Sequence, residues 1–366
     1  MAIIGIWQTQ AEINALPAAG APYTALVAAA NKTLAAPSTT DPDGFLADQN
    51  SQHDQIVFAK ALVFARTGTA SYRTTVQDWI RNVVNSGTYG GRALGLGRNL
   101  AGYVIAADLI DLPAFDATLN TQFRAKILEL RDAPTTESGS IKNCHNIRPT
   151  NWGAMCGASR IAVDLYLADS ADLALAANVL KGWCGDRTAW AGFKWSSILP
   201  LGAGQYWTYG GGDLADIVPV GPLELADTVK LSLDGFLHCD MYRTCEQTKC
   251  TPPPIPPLPK SPELDYPWSS LSGVITQAWM LNRTALNGGY TPFTFSNSAI
   301  KRAVLYLKFL ADTYDDKWWD PARTFDTGLL WVVNKIYGAA TVPTTAVSRY
   351  TGSRQIAGDF SDWWAV

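Results

Sequence analysis

The sequence lacks several features that define large classes of protein. No run of eighteen apolar residues occurs, so no segment is long and apolar enough to span a membrane. The chain has only three histidines and no C-x₂-C pair, which disfavours a zinc site, and we expect neither a metal nor a cofactor. Its net charge of −3 argues against nucleic acid as a partner. An acidic polymer would therefore have to be bound by a few well-placed cations.

The composition predicts a well-buried globular protein. Hydrophobic residues make up 47% of the 366 residues and no linker divides the chain, so we expect a single domain over residues 1–366. Fourteen tryptophans and fourteen tyrosines offer flat faces that can pack in a core or stack on sugar rings, and we expect most of them in the core. Nothing in the sequence predicts an oligomeric state.

The N-terminal stretch and the cysteines bear on where the protein acts. Residues 1–8 contain no basic region and no long apolar region, so no secretion signal is visible. We expect an extracellular protein whose signal was removed, or one released by cell lysis, with an intracellular protein as the alternative. Six cysteines are compatible with one or two disulfides in an oxidising compartment. Cys245 and Cys250 would be the favoured pair, and free thiols throughout are the alternative.

Apolar residues recur at helical spacing along most of the chain, whereas strict alternation typical of strands is hard to find. We therefore predict an all-α fold of helical hairpins joined by short loops and stacked into a curved or closed ring. The predicted helices cover residues 55–66, 72–84, 99–109, 121–131, 151–167, 171–183, 223–242, 269–281, 298–313 and 327–337.

Two segments do not fit a helical pattern. Residues 190–213 are rich in glycine and aromatic residues, including Tyr206 and Tyr209, and are predicted to form a long loop over a groove. The proline-rich run at 252–262 is typical of an extended spacer, so we expect a surface flap at about 245–265.

The most informative motif begins at Asp234-Gly235, which Arg243 follows nine positions after the aspartate. If the proline-rich insert is left out, Tyr266 comes next and opens an apolar helix. This order of Asp-Gly, an acid, Arg and Tyr resembles the alginate-lyase-like polysaccharide lyases. The resemblance covers residues 50–335 in helix order and is specific only around Asn151 and over 234–271.

The resemblance implies a fold and a reaction. The fold would be an incomplete (α/α)5–6 toroid whose loops at one end line a groove. The reaction would be metal-independent β-elimination in an acidic polysaccharide, with alginate the first candidate substrate and glucuronan or another polyuronate next. Arg243 would help to neutralise the substrate carboxylate, and Tyr266 would donate the proton. Arg243 could instead form a surface ion pair with Asp240, and Tyr266 could simply anchor the flap.

A second motif surrounds Asn151, at the start of a predicted helix. The family carries an Asn at such a position, often followed by His, and both act on the carboxylate and the C5 proton. Here Asn151 matches and Trp152 replaces the His. The alternative is that Asn151 only caps the helix. With Trp152 in place of the histidine, the general base would have to be His145, His53, a tyrosine of residues 206–209, or Tyr266 itself.

Further candidates for substrate binding are Gln52, Arg98, Arg148, Trp152, Tyr206, Tyr209 and Trp268. Gln52 and Arg98 lie at the starts of predicted helices, where a toroid places its groove and where helix dipoles favour anions, and either could equally be a helix cap. Tyr206 and Tyr209 belong to the long loop predicted over the groove.

Elimination explains why these residue types would be needed. The C5 proton of a uronic acid is weakly acidic because the adjacent carboxylate already carries negative charge. Arginine and amide groups that neutralise the carboxylate stabilise the enolate-like intermediate. Two other functions remain open. A helical-toroid glycoside hydrolase would need two facing carboxylates, for which Asp54, Asp213, Asp234 and Asp240 are available. A non-catalytic polysaccharide-binding protein would need only the aromatic residues.

Overall fold

Helices provide the regular structure of the chain. The computed structural model describes residues 3–38, 40–41, 43–186, 188–193, 265–314, 328–338, 341, 356 and 359–365. Over these residues no strand forms, and a single isolated bridge pairs Thr135 with Gly139. The predicted all-α class is therefore confirmed for the described residues. No helix among them is both long enough and apolar enough to cross a membrane.

The helices are numbered here in chain order over the described residues. They are α1 (Gln10–Ala15), α2 (Ala21–Ala30), α3 (Gly44–Ala47), α4 (His53–Thr67), α5 (Ala70–Val84), α6 (Ala93–Leu109), α7 (Leu112–Phe115), α8 (Ala117–Asp132), α9 (Ile141–Ile147), α10 (Asn151–Leu167), α11 (Ser170–Trp183), α12 (Asp265–Arg283), α13 (Phe295–Tyr314), α14 (Leu329–Tyr337) and α15 (Ser361–Trp364). A 3₁₀ turn at Ala285–Asn287 follows α12.

Every predicted helix that falls within the described residues is present. The one large boundary error concerns α6, which was predicted to begin at Asn99 and begins at Ala93. Gly95 and Gly97 look like helix breakers in the sequence, but both lie inside α6. A side chain on Gly95 would run into the carbonyl oxygen of Ala47, so the small residue permits close packing of α3 on α6.

Four helices, α4, α6, α10 and α12, pack side by side in that order. Ser159 of α10 donates from its hydroxyl to the carbonyl of Gly97 at 2.8 Å and accepts from the backbone N–H of Ala101 at 3.0 Å, which ties α10 to α6. On the other side of α10, the side-chain amide of Gln277 donates to the carbonyl of Ala154 at 2.7 Å. The α6, α10 and α12 helices run parallel, because contacts between neighbours advance in the same direction along both helices. The α5, α8 and α11 helices return the chain between them.

The starts of these helices are not all level. The Cys156 thiol donates to the carbonyl of Ala93 at 3.4 Å, so α6 and α10 begin at about the same height. In contrast, Asp54 near the start of α4 packs on Gly102, in the middle of α6. At 1.5 Å per residue, α4 therefore begins about 12 Å further along the row than α6.

The N-terminal segment connects the two ends of the row. The Trp7 ring lies 6.0 Å from the Phe58 ring of α4 and 6.1 Å from the Trp279 ring of α12. The indole N–H of Trp279 donates to the carbonyl of Trp7 at 2.8 Å. The Asp108 carboxylate accepts from three successive backbone N–H groups, at residues 4–6, which fixes this segment against the end of α6.

A buried ion network joins α8, α10 and α11 behind the row. Arg160 of α10 is fully buried and makes two hydrogen bonds of 2.8 Å to the Asp172 carboxylate. Its remaining amino group donates to the side-chain oxygen of Asn146 in α9 at 2.8 Å. Arg131 of α8 donates to Asp164 at 2.7 Å. Loss of one partner would leave a buried charge uncompensated, so this network fixes α9 on α10.

Candidate functional site

The start of α10 is level with the start of α6, whereas α12 begins about 7 Å beyond them, because Gly273 of α12 packs on Ala154 near the start of α10. Several predicted site residues lie at this end of the row. Asn151 and Trp152 are the first two residues of α10. Tyr266 is the second residue of α12, and one turn later the Ser269 hydroxyl lies 4.0 Å from the sulfur of Met155. Three parallel helix N-termini therefore point to the same end, and their combined partial positive charge favours an anion.

Trp152 lies against two guanidinium groups. The central guanidinium carbon of Arg148 is 4.6 Å from the centre of the Trp152 ring, and that of Arg92 is 4.9 Å from it. A cation over an aromatic face is attracted by the negative charge of the π-system. Trp152 thus holds positive charge at the start of α10 and is not a substitute acid or base for the histidine that the resemblance led us to expect.

Arg92 was not predicted as a site residue. It is the N-cap of α6, and its carbonyl accepts a 2.7 Å hydrogen bond from the buried Tyr89 hydroxyl. Its guanidinium Nε donates to the Glu137 carboxylate at 2.6 Å. Sequence reasoning missed Arg92 because α6 was predicted to begin only at Asn99, and because only the fold brings Arg92 to Trp152.

Asn151 is not the capping residue of α10. Thr150 occupies the N-cap position with extended backbone, and Asn151 is the first helical residue and buried. The carbonyl of Arg148 turns back onto Gly153 so closely that any side chain on this glycine would clash with it. This tight turn places Arg148 beside the first turn of α10 and holds it close to Asn151 and Trp152.

His145 is sealed in the interior. It is 3% exposed, and its Nδ1 lies 3.3 Å from a guanidinium nitrogen of Arg160. Burial first, and then the Arg160 charge, lower the pKa of His145 well below its ordinary value. Gln277 contacts the ring from α12. A neutral histidine without access to solvent supports the packing of α9 on α10 and α12, and this burial argues against His145 as the general base.

His53 and Gln52 lie at the start of α4, which begins further along the row than the starts of α6 and α10. The Nδ1 of His53 is 2.9 Å from the Ser51 hydroxyl, and its ring lies 4.9 Å from the Trp79 ring. Burial lowers the pKa of His53. Gln52 is exposed and occupies the N-cap position without a capping hydrogen bond. Both residues are accessible, but they do not share the level of Trp152.

Arg98 and Trp268 were predicted to bind substrate and are instead buried. Arg98 is 7% exposed and donates to the carbonyl of Gln49 at 3.0 Å and to the sulfur of Met155 at 3.0 Å. Trp268 is 3% exposed within the first turns of α12. Arg98 therefore packs beneath the first turn of α10. Tyr266, in contrast to Trp268, is only half-buried.

Asp54, one of the carboxylates considered for a hydrolase, is 2% exposed in the first turn of α4. Burial raises the pKa of Asp54 to about 8. Among the described residues, one of its carboxyl oxygens has no hydrogen-bond partner, and neither has the buried hydroxyl of Tyr103. An acid in this position is protonated at neutral pH and cannot reach a polymer, so the structure does not favour Asp54 as half of a hydrolytic pair.

Several predictions concern residues outside the described part of the chain. They are the roles of Arg243, Tyr206 and Tyr209, the carboxylates of Asp213, Asp234 and Asp240, the helix at 223–242, the Cys245–Cys250 pair and the flap at about 245–265. Of the remaining cysteines, Cys144, Cys156 and Cys184 are buried free thiols.

The chain matches no protein-family model, and no significant match was found among curated proteins or solved structures. No relative therefore assigns a role to any residue at the start of α10, and a functional interpretation depends on the chemistry of the residues themselves.

Proposed function

We propose that the protein is a polysaccharide lyase that cleaves a uronic-acid-containing polymer by metal-independent β-elimination at the end of the row where α6, α10 and α12 begin. Alginate is the first candidate substrate, followed by glucuronan or another polyuronate. The observation that carries the proposal is the pair of guanidinium groups on Trp152, next to Asn151. On a chain with a net charge of −3, this is a local concentration of positive charge at one end of a helix row.

The residues in this site suit the chemistry of elimination. Asn151, Arg148 and Arg243 neutralise the carboxylate of the sugar whose C5 proton is removed, which stabilises the enolate-like intermediate. A base takes the proton from C5, and the electron pair of the broken C5–H bond forms the C4–C5 double bond. The bond between C4 and O4 breaks, and the leaving O4 takes a proton from Tyr266.

Tyr266 is the proposed proton donor, whereas several residues are candidates for the base. Tyr266 is suited to donate because it is half-buried near the start of α12, at the same end of the row as Trp152. The candidates for the base are Tyr206 and Tyr209, Tyr266 itself, and, less favourably placed, His53. His145 is left out because it is buried beside Arg160.

The proposed fold extends the row of parallel helices into an incomplete (α/α)5–6 toroid that forms one domain. Two features support this extension. Trp7 contacts both the first and the last helix of the described row, and a further helix is predicted at 223–242. Because a large polyanion does not diffuse across a membrane, we propose that the protein acts outside the cell that made it.

The test is incubation with a panel of acidic polysaccharides. A lyase produces a C4–C5 double bond conjugated to the carboxylate, so ultraviolet absorbance rises as the chain is cut. New reducing ends without absorbance would show a hydrolase. Retention on a polyuronate without either product would show a binding protein, and either of these outcomes would refute the proposal.

A further inference from the structure

We propose that Arg92 binds a second carboxylate of the acidic polymer, and that Glu137 occupies Arg92 until the polymer displaces it. The inference rests on the proposed function for the class of ligand, but its geometry is independent of the elimination chemistry. It adds a specificity-determining residue and an internal competitor to the site around Trp152.

Arg92 is held in place by its backbone while its charged end stays accessible. The Tyr89 hydroxyl and the start of α6 fix its main chain. Its side chain is 49% exposed. Within the described residues, the guanidinium uses only Nε for a hydrogen bond, to Glu137, and neither terminal amino group makes one. A guanidinium has five N–H donors in a planar fork that matches a carboxylate, so most of its binding capacity is unused.

Glu137 is presented to Arg92 by a short, fixed loop. The Thr135 N–H donates to the carbonyl of Gly139 at 2.6 Å and closes the loop around Glu137. The Thr136 N–H donates to the carbonyl of Gly91 at 3.2 Å and attaches the loop to the residue before Arg92. The loop therefore holds the Glu137 carboxylate on the Arg92 guanidinium, where the carboxylate of a bound ligand would otherwise lie.

The two arginines on Trp152 explain why an anion should be preferred here. Arg148 and Arg92 both lie against one indole ring, so their positive charges are close together and repel each other. Glu137 relieves this repulsion at Arg92 through an ion pair that is accessible to solvent. Exposed ion pairs are weak, so a polymer carrying many carboxylates can displace Glu137 at small cost.

Binding measurements with charge-neutral substitutions test this proposal. The probe is a hexasaccharide prepared from alginate, and neutral cellohexaose is the control ligand. Affinity is measured from the rapid change in tryptophan fluorescence on mixing, before any turnover. Glu137→Gln should bind the acidic hexasaccharide about twofold to fivefold more tightly, since the competitor is lost. Arg92→Gln should bind it about tenfold more weakly, and Arg92→Lys should fall between because it keeps the charge and loses the fork.

A double variant and a matched control separate this effect from a general change in charge. Arg92→Gln combined with Glu137→Gln should bind like Arg92→Gln alone, because Glu137 acts only through Arg92. Glu129→Gln removes an equally peripheral carboxylate, paired with Lys126 at 2.9 Å on α8, and should leave binding unchanged. Thermal unfolding of each variant shows that it is folded.

The outcomes are distinct from those of the activity test. If Glu137→Gln binds no more tightly than wild type, if Arg92→Gln keeps full affinity, or if wild type does not bind the acidic probe, the carboxylate site at Arg92 is wrong even when elimination is observed. If these shifts occur and no unsaturated product ever forms, the lyase proposal is wrong and the carboxylate site stands.

Discussion

The guanidinium of Arg148 lies 4.6 Å from the ring centre of Trp152, four residues later in the chain. The turn between them carries the N-cap Thr150 and the buried Asn151, so one short segment supplies an aromatic ring, a cation and an amide at a helix start. Trp152 therefore has a role that a histidine would not fill as well, because its larger π-face holds two arginines at once.

We expect Asn151→Asp to reduce kcat/KM more than Asn151→Ala. The carboxylate would sit next to the substrate carboxylate and repel it, whereas alanine only removes a hydrogen-bonding group. Steady-state kinetics on the best substrate of the panel, with circular dichroism to confirm folding, makes the comparison. If Asn151→Asp cleaves as well as wild type, Asn151 does not contact the carboxylate.

Tyr266→Phe should lower the rate by about 10²–10⁴, the range for losing a general acid–base group. The substitution removes one hydroxyl from a half-buried ring, so the melting temperature should change little. A substrate whose leaving group needs less protonation than a sugar O4 should recover part of the loss. An equal loss on both substrates would move the proton donor to Tyr206 or Tyr209.

His145→Gln should lower stability and leave the activity per folded molecule within about threefold of wild type. The imidazole is buried between Arg160 and Gln277, where glutamine can replace some of its hydrogen bonds but not its shape. The free energy of unfolding from urea titration and kcat/KM of the folded fraction give the two values. A loss of activity of a hundredfold with stability unchanged would restore His145 as a catalytic base.

Asp54→Asn should raise stability at neutral pH and remove a pH dependence. The pKa of Asp54 is about 8 in the folded protein and near 3.8 for the unfolded group, so between these values the folded state holds a proton that the unfolded state has lost. Stability therefore falls as pH rises through this window. Asparagine does not titrate, so the free energy of unfolding of Asp54→Asn should exceed that of wild type by about 1 kcal/mol or more at pH 7. The difference should vanish near pH 4.

The measurement is the free energy of unfolding of both proteins from pH 4 to pH 8. Parallel curves for the two proteins would show that Asp54 is ionised in the fold. Cleavage by Asp54→Asn should stay within about twofold of wild type, because the carboxyl is out of reach of a polymer. A complete loss of cleavage in a stable protein would favour the hydrolase.

The helices could be predicted from sequence because their apolar faces repeat with helical spacing, and α10 begins and ends where the pattern does. The start of α6 could not be predicted in this way, because Gly95 disfavours a helix locally. The glycine is needed for close packing on Ala47, which is distant in the sequence. The burial of His145 also depends on distant partners, Arg160 and Gln277. Arg92 was missed for the same reason, because only the fold brings it to Trp152.

Mass spectrometry of the cleavage products distinguishes the possible reactions most directly. Elimination breaks the bond between C4 and O4 without adding water, so every cut should yield one fragment with an unsaturated non-reducing end, and the masses of the fragments should sum to that of the substrate. Hydrolysis adds one water at every cut, so its fragments would be saturated and heavier in sum by one water per cut. Unsaturated fragments whose masses sum to that of the substrate are the expected result, and saturated fragments heavier by one water per cut would contradict the proposal that this protein is a lyase.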